Sequence, residues 1–214
     1  MEAAYHPTAH TTPTRYRERA HYDRETIHRI LDESLVCHLG YVRDGRPVVL
    51  PTIHTRIDET LYIHGSSGSG PMLATRLSGM PVCVTVTLID GLVLARSAMH
   101  HSMNYRSVVA VGTARIVDDS GEKARALHAV LDHIRPGRAD DCRAPNAREL
   151  AATAVLALDL VEVSAKVREG GVSDDDEDLA LPYWAGVLPV RMSAGNPVPD
   201  AGLDPAIPLP PYLR

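Results

Sequence analysis

Between Leu35 and His64 the chain alternates short apolar segments with turns too short to carry a helix, which excludes a parallel sheet over this stretch. Leu35-Val36-Cys37-His38-Leu39-Gly40-Tyr41-Val42 reads as a first strand, and Arg43-Asp44-Gly45-Arg46 supplies an Asp-Gly hairpin turn. Pro47 to Thr55 is the returning strand, Ile57-Asp58-Glu59-Thr60 turns again, and Leu61-Tyr62-Ile63-His64 is the third. Three strands joined this tightly form an antiparallel meander.

The third strand delivers the backbone into Gly65-Ser66-Ser67-Gly68-Ser69-Gly70-Pro71, and a helix is expected where that loop ends. Pro71 suits a first helical position, Met72, Leu73 and Leu77 make the apolar stripe, and Gly79 closes the helix. Such a loop offers backbone N–H groups, small hydroxyls and a positive helix N-terminus to an anion, most naturally a phosphate. No Lys-Ser/Thr follows the glycines, so it is not a Walker loop, and the dinucleotide fingerprint is absent as well. Taken alone, it reads equally as a flexible connector.

Upstream, residues 1–20 are polar and without periodicity and read as a flexible N-terminal arm. Asp23 caps a helix carrying Ile27, Ile30 and Leu31 at helical spacing. Downstream, strands are expected at Pro81–Ile89, Leu92–Ala95 and Tyr105–Val117, with Gly112 as a bulge or bend. Asp118-Asp119-Ser120 opens a helix that Arg135-Pro136-Gly137 stops, Asn146 with Glu149 makes a capping box, and Val155–Val163 is the last sheet strand. After an acidic run at Asp174–Asp178 the chain becomes proline-rich, and residues 189–214 read as a tail that is either disordered or an extended arm laid over a partner. About six strands in a meander, with peripheral helices, make residues 21–188 a mainly β domain built on a six-stranded antiparallel barrel.

Composition narrows the function. With 214 residues there is room for one domain and extensions, and a net charge of −5 argues against nucleic acid as a partner. No apolar run reaches membrane-spanning length and the N-terminus carries no secretory pattern, so the protein is expected in the cytoplasm. Eleven histidines invite a metal, but no zinc-type spacing exists, and His100-His101 would point to opposite faces of a strand. His54 and His64, on neighbouring strands, could converge. No Gly-x-Ser-x-Gly elbow supports a serine hydrolase.

Three groups of residues stand out as binding candidates beyond the loop. His100-His101-Ser102-Met103-Asn104-Tyr105-Arg106-Ser107 crowds donors at the entrance to a long strand, and Arg106 is a natural bidentate phosphate partner. The alternative is a strand edge that merely carries polar residues. Lys166 and Arg168 could bind an anion or pair with the acidic run. Trp184, alone in a chain without Phe, could pack over a flat aromatic ligand or plug the barrel end.

Five segments, taken together and in this order, resemble the pyridoxamine 5′-phosphate oxidase-like, FMN-binding split-barrel family, in the branch of nitroimidazole-resistance and flavin-nucleotide-binding proteins. They are Leu61-Tyr62-Ile63-His64-Gly65-Ser66, Asp90-Gly91-Leu92-Val93-Leu94-Ala95-Arg96-Ser97, Ser102-Met103-Asn104-Tyr105-Arg106-Ser107-Val108-Val109, Ser164-Ala165-Lys166-Val167-Arg168 and Tyr183-Trp184-Ala185-Gly186-Val187-Leu188-Pro189. The likeness spans about residues 20–190.

The resemblance implies a six-stranded antiparallel split β-barrel that forms a homodimer with FMN sites at its interface. It places the phosphate at Gly65, Ser66, Ser67 and Ser69, with Thr52 and His64 near the ribityl chain or ring and Pro51 and Met72 among the further cofactor contacts. Asn104, Tyr105, Arg106 and Ser107 would complete the site from the other subunit, and Lys166 and Trp184 would close it. Relatives often carry a basic residue where this chain has Gly70-Pro71, which leaves the phosphate to Arg76, Arg106 or Lys166. The implied activity is a flavin-dependent oxidoreductase acting on a small flat acceptor, a nitro compound or quinone, with His64 beside the flavin or substrate. A non-catalytic flavin-storage protein, or a barrel holding a deazaflavin or haem, is the alternative.

Overall fold

The computed structural model describes residues 4–75 and 79–214. In chain order come β1 (Ala20–His21), α1 (Arg24–Glu33), β2 (Val36–Arg43), β3 (Arg46–Ile57), β4 (Thr60–Ser66), α2 (Gly70–Thr75) and β5 (Met80–Leu94). β6 (Ser102–Ile116), α3 (Ser120–Ile134), α4 (Ala147–Ala152), β7 (Thr153–Asp159), β8 (Glu162–Arg168) and β9 (Gly186–Pro189) follow. Leu77 and Arg76, which the sequence placed in the helix after the loop, lie outside the described residues.

Strands β6, β7, β4, β3, β2 and β5 pair in that order, and β5 pairs back onto β6, so six antiparallel strands close a ring. Closure depends on a division of β6. Its first half, Tyr105 to Val111, pairs with β8, whereas Arg115 and Ile116 pair with β7. This is the split barrel the sequence predicts. β1 extends the sheet beyond β8, and β9 lies beside β5 at Gly91–Leu94.

Local chemistry explains the elements. Asp44 and Gly45 both have positive φ, 50° and 72°, as a two-residue hairpin turn of the primed type requires. The Asp23 carboxylate accepts from the Thr26 amide at 2.8 Å and starts α1, whose Ile27, Ile30 and Leu31 are buried against the barrel interior. Removing three such side chains from water is worth roughly 5–9 kcal/mol, before the entropy of ordering them is subtracted. Asn146 and Glu149 form a complete capping box at α4.

Four expectations change. The two strands expected at 81–95 are one strand, β5, with its register shift between Ile89 and Gly91 leaving Asp90 as the extra residue. Gly112 pairs in uniform register with Val82, so it is not a bulge; a Cβ there would lie 2.8 Å from Leu158 Cδ1, so glycine serves close approach to β7. The single strand expected at 155–163 is two, β7 and β8, separated at Leu160-Val161. Finally, the arm expected to be flexible is packed from residue 4. Tyr5 is buried, its hydroxyl donates to Glu59 at 2.6 Å, and Ala4 bridges Asp23.

Candidate functional site

The Gly/Ser loop follows directly from β4. The Ser69 amide donates to the Ser66 carbonyl at 2.9 Å, and the Ser67 amide donates to the Ala152 carbonyl at 2.9 Å, which anchors the loop to α4. Beneath it, Met72 is 2% exposed, and a Cβ at Gly65 would stand 3.1 Å from Met72 Cε. Met72 is therefore a core residue under the loop, and the apolar stripe that made it conspicuous in the sequence is the stripe that buries it. On the open side, a Cβ at Gly70 would stand 3.3 Å from Arg43 Nη1 and 3.6 Å from Tyr41 Oη. The loop thus faces a guanidinium and a phenol from the end of β2. Its other flank opens on a cleft of about 430 Å³ where Ser67 meets Ile116, Asp118, Lys123 and Thr153. There the Lys123 ammonium donates to the Leu150 carbonyl at 2.7 Å.

The polar segment at the start of β6 divides by strand alternation. Arg106 shares the parity of the buried Val108 and Ala110, and its guanidinium is held by two carboxylates. Nε and Nη2 donate to Asp90 at 2.9 and 2.7 Å, while Nη1 and Nη2 donate to Glu33. The Glu33 carboxyl is held below the usual range, first by that hydrogen bond from Arg106. Asn104 donates to the Gly170 carbonyl at 2.9 Å and accepts from Arg168. Tyr105 and Ser107 take the other face, and Ser107 Oγ donates to the Lys166 carbonyl at 3.2 Å. Lys166 itself reaches the Arg15 carbonyl at 3.4 Å. Trp184 is 69% exposed beside Gly186, so it does not plug the barrel.

These two groups lie at opposite ends of β6. Ser107 pairs with Thr87 and Ala114 pairs with Met80, seven residues on, about 23 Å at strand rise. The loop is at the far end, since Ser67 and Ile116 line one cleft. Within one chain the loop and the Asn104–Ser107 segment are not brought together.

The histidines separate too. His54 pairs with Ile63, so His64, the next residue of β4, is on the opposite face and the two do not converge. His54 Nε2 lies 3.0 Å from the Leu31 carbonyl; a carbonyl only accepts, so Nε2 carries the proton. Its Nδ1 is buried without a partner, and burial, with the nearby His133, lowers its pKa to about 4. His64 Nδ1 is likewise buried and unpartnered, and burial lowers its pKa. A half-buried imidazole that stays neutral, with one bare nitrogen, suits ligation or hydrogen bonding to a bound group.

Pro51 and Thr52 fall on different faces of β3: Pro51 pairs with His38 on the outside, Thr52 with the buried Cys37. On that outer face Val36, Val42 and Val49 are 45%, 66% and 61% exposed around His38. Sequence reasoning missed Arg43, Tyr41, Glu33 and Asp90. The first two share one side of β2 by parity, and that periodicity was available in the sequence. Their approach to Gly70 was not.

The sequence profile of the family described as pyridoxamine 5′-phosphate oxidase matches residues 23–167. Among solved structures, the chain is 40% identical to flavocytochrome Anf3 from Azotobacter vinelandii, over 98% of this chain and 97% of that one, with a TM-score of 0.90. It is 38% identical to an FAD- and haem-binding protein from Mycobacterium smegmatis, over 91% and 95% of the two chains, with a TM-score of 0.86. A protein described as a 5-nitroimidazole antibiotic resistance protein from Bacteroides thetaiotaomicron, 23% identical over 69% of this chain and 86% of that one, shares the fold at a TM-score of 0.58. No curated protein matches the sequence.

Proposed function

The chain belongs to the pyridoxamine 5′-phosphate oxidase family, and on that premise we propose that it is a flavin-binding oxidoreductase. The observation that carries the reading is likeness over nearly the whole chain to two proteins whose names combine a flavin with haem. The relative from Mycobacterium smegmatis is named for FAD, so FAD replaces FMN as the flavin proposed here. The residues present fit a flavin nucleotide: hydroxyls of the Gly65–Ser69 loop and the Arg43 guanidinium beside Gly70 suit its phosphates. A bound flavin supplies the electron transfer, and the acceptor is a small flat molecule of the nitro or quinone type. The chain's part is to bind, orient and exclude water. Because the loop and the Asn104–Ser107 segment are far apart in one chain, the site is proposed to be completed by a second copy in a homodimer, across the exposed Val36, Val42 and Val49 face.

Purification of the protein and chromatography of the heat-released chromophore test this reading. FAD in near-stoichiometric amount, with NADH- or NADPH-driven reduction of a quinone, is the expected result. A colourless protein that gains no flavin bands when FAD or FMN is added would end it. Bound flavin without turnover would leave a storage protein.

A second reading adds haem to the same chain. It is favoured by His64, a half-buried imidazole that burial keeps uncharged, the residue type and charge state that haem iron takes. A Soret band in the wild-type protein that is displaced or lost in His64→Ala is the expected signature. A Soret band unchanged by that substitution would place the ligand elsewhere.

A further inference from the structure

We propose that Arg43, with the Tyr41 hydroxyl beside it, is the cationic wall of the Gly65–Gly70 loop and binds a phosphate group of the flavin. The inference rests on the flavin-binding reading and supplies the charge that the loop lacks. From Gly65 to Pro71 the loop contains only glycine, serine and proline, so it offers hydroxyls and amides but no cation.

Arg43 ends β2 immediately before the Asp44-Gly45 turn, and Tyr41 lies on the same side of the strand two residues earlier. Arg43 Nη1 stands 3.3 Å from the position a Gly70 Cβ would take, and Tyr41 Oη 3.6 Å from it. Glycine at position 70 therefore lets a guanidinium close onto the loop backbone, where any larger residue would push it away.

The guanidinium is available for an anion. Its ion pair is a 3.7 Å contact from Nε to the Asp44 carboxylate, with the two side chains 64% and 91% exposed. A pair that long and that wet contributes almost nothing. It engages the Nε edge and leaves the Nη edge turned towards Gly70. Tyr41 is 6% exposed, and its hydroxyl, which has no hydrogen-bond partner among the described residues, lies 3.6 Å from the same Gly70 position. A phosphate oxygen held by Nη1 would also fall within reach of that hydroxyl. Of the other candidate cations, Arg106 is taken up by two carboxylates and Lys166 sits at the distant end of β6, while Arg76 lies outside the described residues. The planar, two-pronged donor suits a phosphate better than an ammonium would.

The test measures binding of FAD, riboflavin and inorganic pyrophosphate to full-length wild type, Arg43→Gln and Arg43→Lys by calorimetry. Arg43→Gln is expected to weaken FAD about 10-fold, in line with losing one charge-assisted contact, and to abolish pyrophosphate binding. Riboflavin, which has no phosphate, should bind all three alike, and Arg43→Lys should recover part of the FAD loss. Unchanged FAD and pyrophosphate affinities in Arg43→Gln overturn the assignment while leaving the flavin reading intact. Pyrophosphate binding lost in Arg43→Gln, in a wild type that takes no flavin, would sink the flavin reading and keep the anion site. A wild type that binds neither flavin nor pyrophosphate refutes both.

Discussion

Glu33, the last residue of α1, and Arg106, on β6, are joined by two hydrogen bonds, and Asp90 grips the same guanidinium through two more. The arrangement ties the C-terminal end of α1 to the bulge of β5. One cation is shared by two carboxylates that would otherwise repel one another.

Arg106→Ala should therefore act on stability before it acts on ligand affinity. Glu33 and Asp90 are 49% and 33% exposed, so solvent screens the loss, and about 1–2 kcal/mol is expected. The urea midpoint reads it. Adding Asp90→Asn to Arg106→Ala should restore part of the loss by removing one of the stranded charges. A stability unchanged in Arg106→Ala would show that the network contributes nothing.

Acid should weaken the fold through His54. Its pKa is about 4 in the folded protein against an ordinary 6.5, so between those values the unfolded chain binds more protons. The contribution is whole above 6.5 and fades as pH falls towards 4, on the order of 3 kcal/mol in total. His28, whose pKa burial also lowers, acts in the same sense. Urea midpoints of wild type and His54→Gln across this window should converge as pH falls. Parallel curves would mean that His54 titrates normally.

Tyr5 tests whether the first residues belong to the domain. Its hydroxyl meets Glu59 at 2.6 Å and His28 at 2.8 Å, and the side chain is 5% exposed. Tyr5→Phe should cost about 1 kcal/mol through the lost hydrogen bonds. Tyr5→Ala should cost about 3–4 kcal/mol through the cavity as well. If both variants melt with the wild type, the arm is not part of the folded unit.

Val49→Glu addresses assembly. In a single chain Val49 is 61% exposed, so the change should leave the melting temperature of a monomer almost untouched. Across a paired face it buries a carboxylate without a partner. Light scattering should show the mass fall from two chains to one, with weaker FAD binding. A dimer that survives places the interface elsewhere.

What the sequence revealed was what neighbours along the chain decide. The Asp44-Gly45 turn, the Asp23 cap and the Asn146–Glu149 box each depend on residues within about four positions, and each is where the reading put it. The six-stranded ring followed from counting such units. Contacts that join distant segments were illegible. Nothing near Arg106 announces that Glu33, 73 residues away, will take its guanidinium, so a donor-rich run looked like a free anion site. Tyr5 was hidden in a polar stretch because one buried ring makes no periodicity. The loop's lack of a cation was visible, but the guanidinium that approaches Gly70 comes from a different hairpin and needed the closed barrel to bring it there.

The two short strands that finish the sheet have a consequence for solubility. Among the described residues, β1, two residues long, stands beyond β8, and β9, four residues ending in Pro189, stands beyond β5. Any long strand left at a sheet edge is a template on which further chains can stack, and brief or proline-ended margins remove it. Cutting the chain before Gly186 would bare the Gly91–Leu94 backbone of β5, and the truncated protein should then self-associate into β-rich aggregates where the intact one stays dispersed.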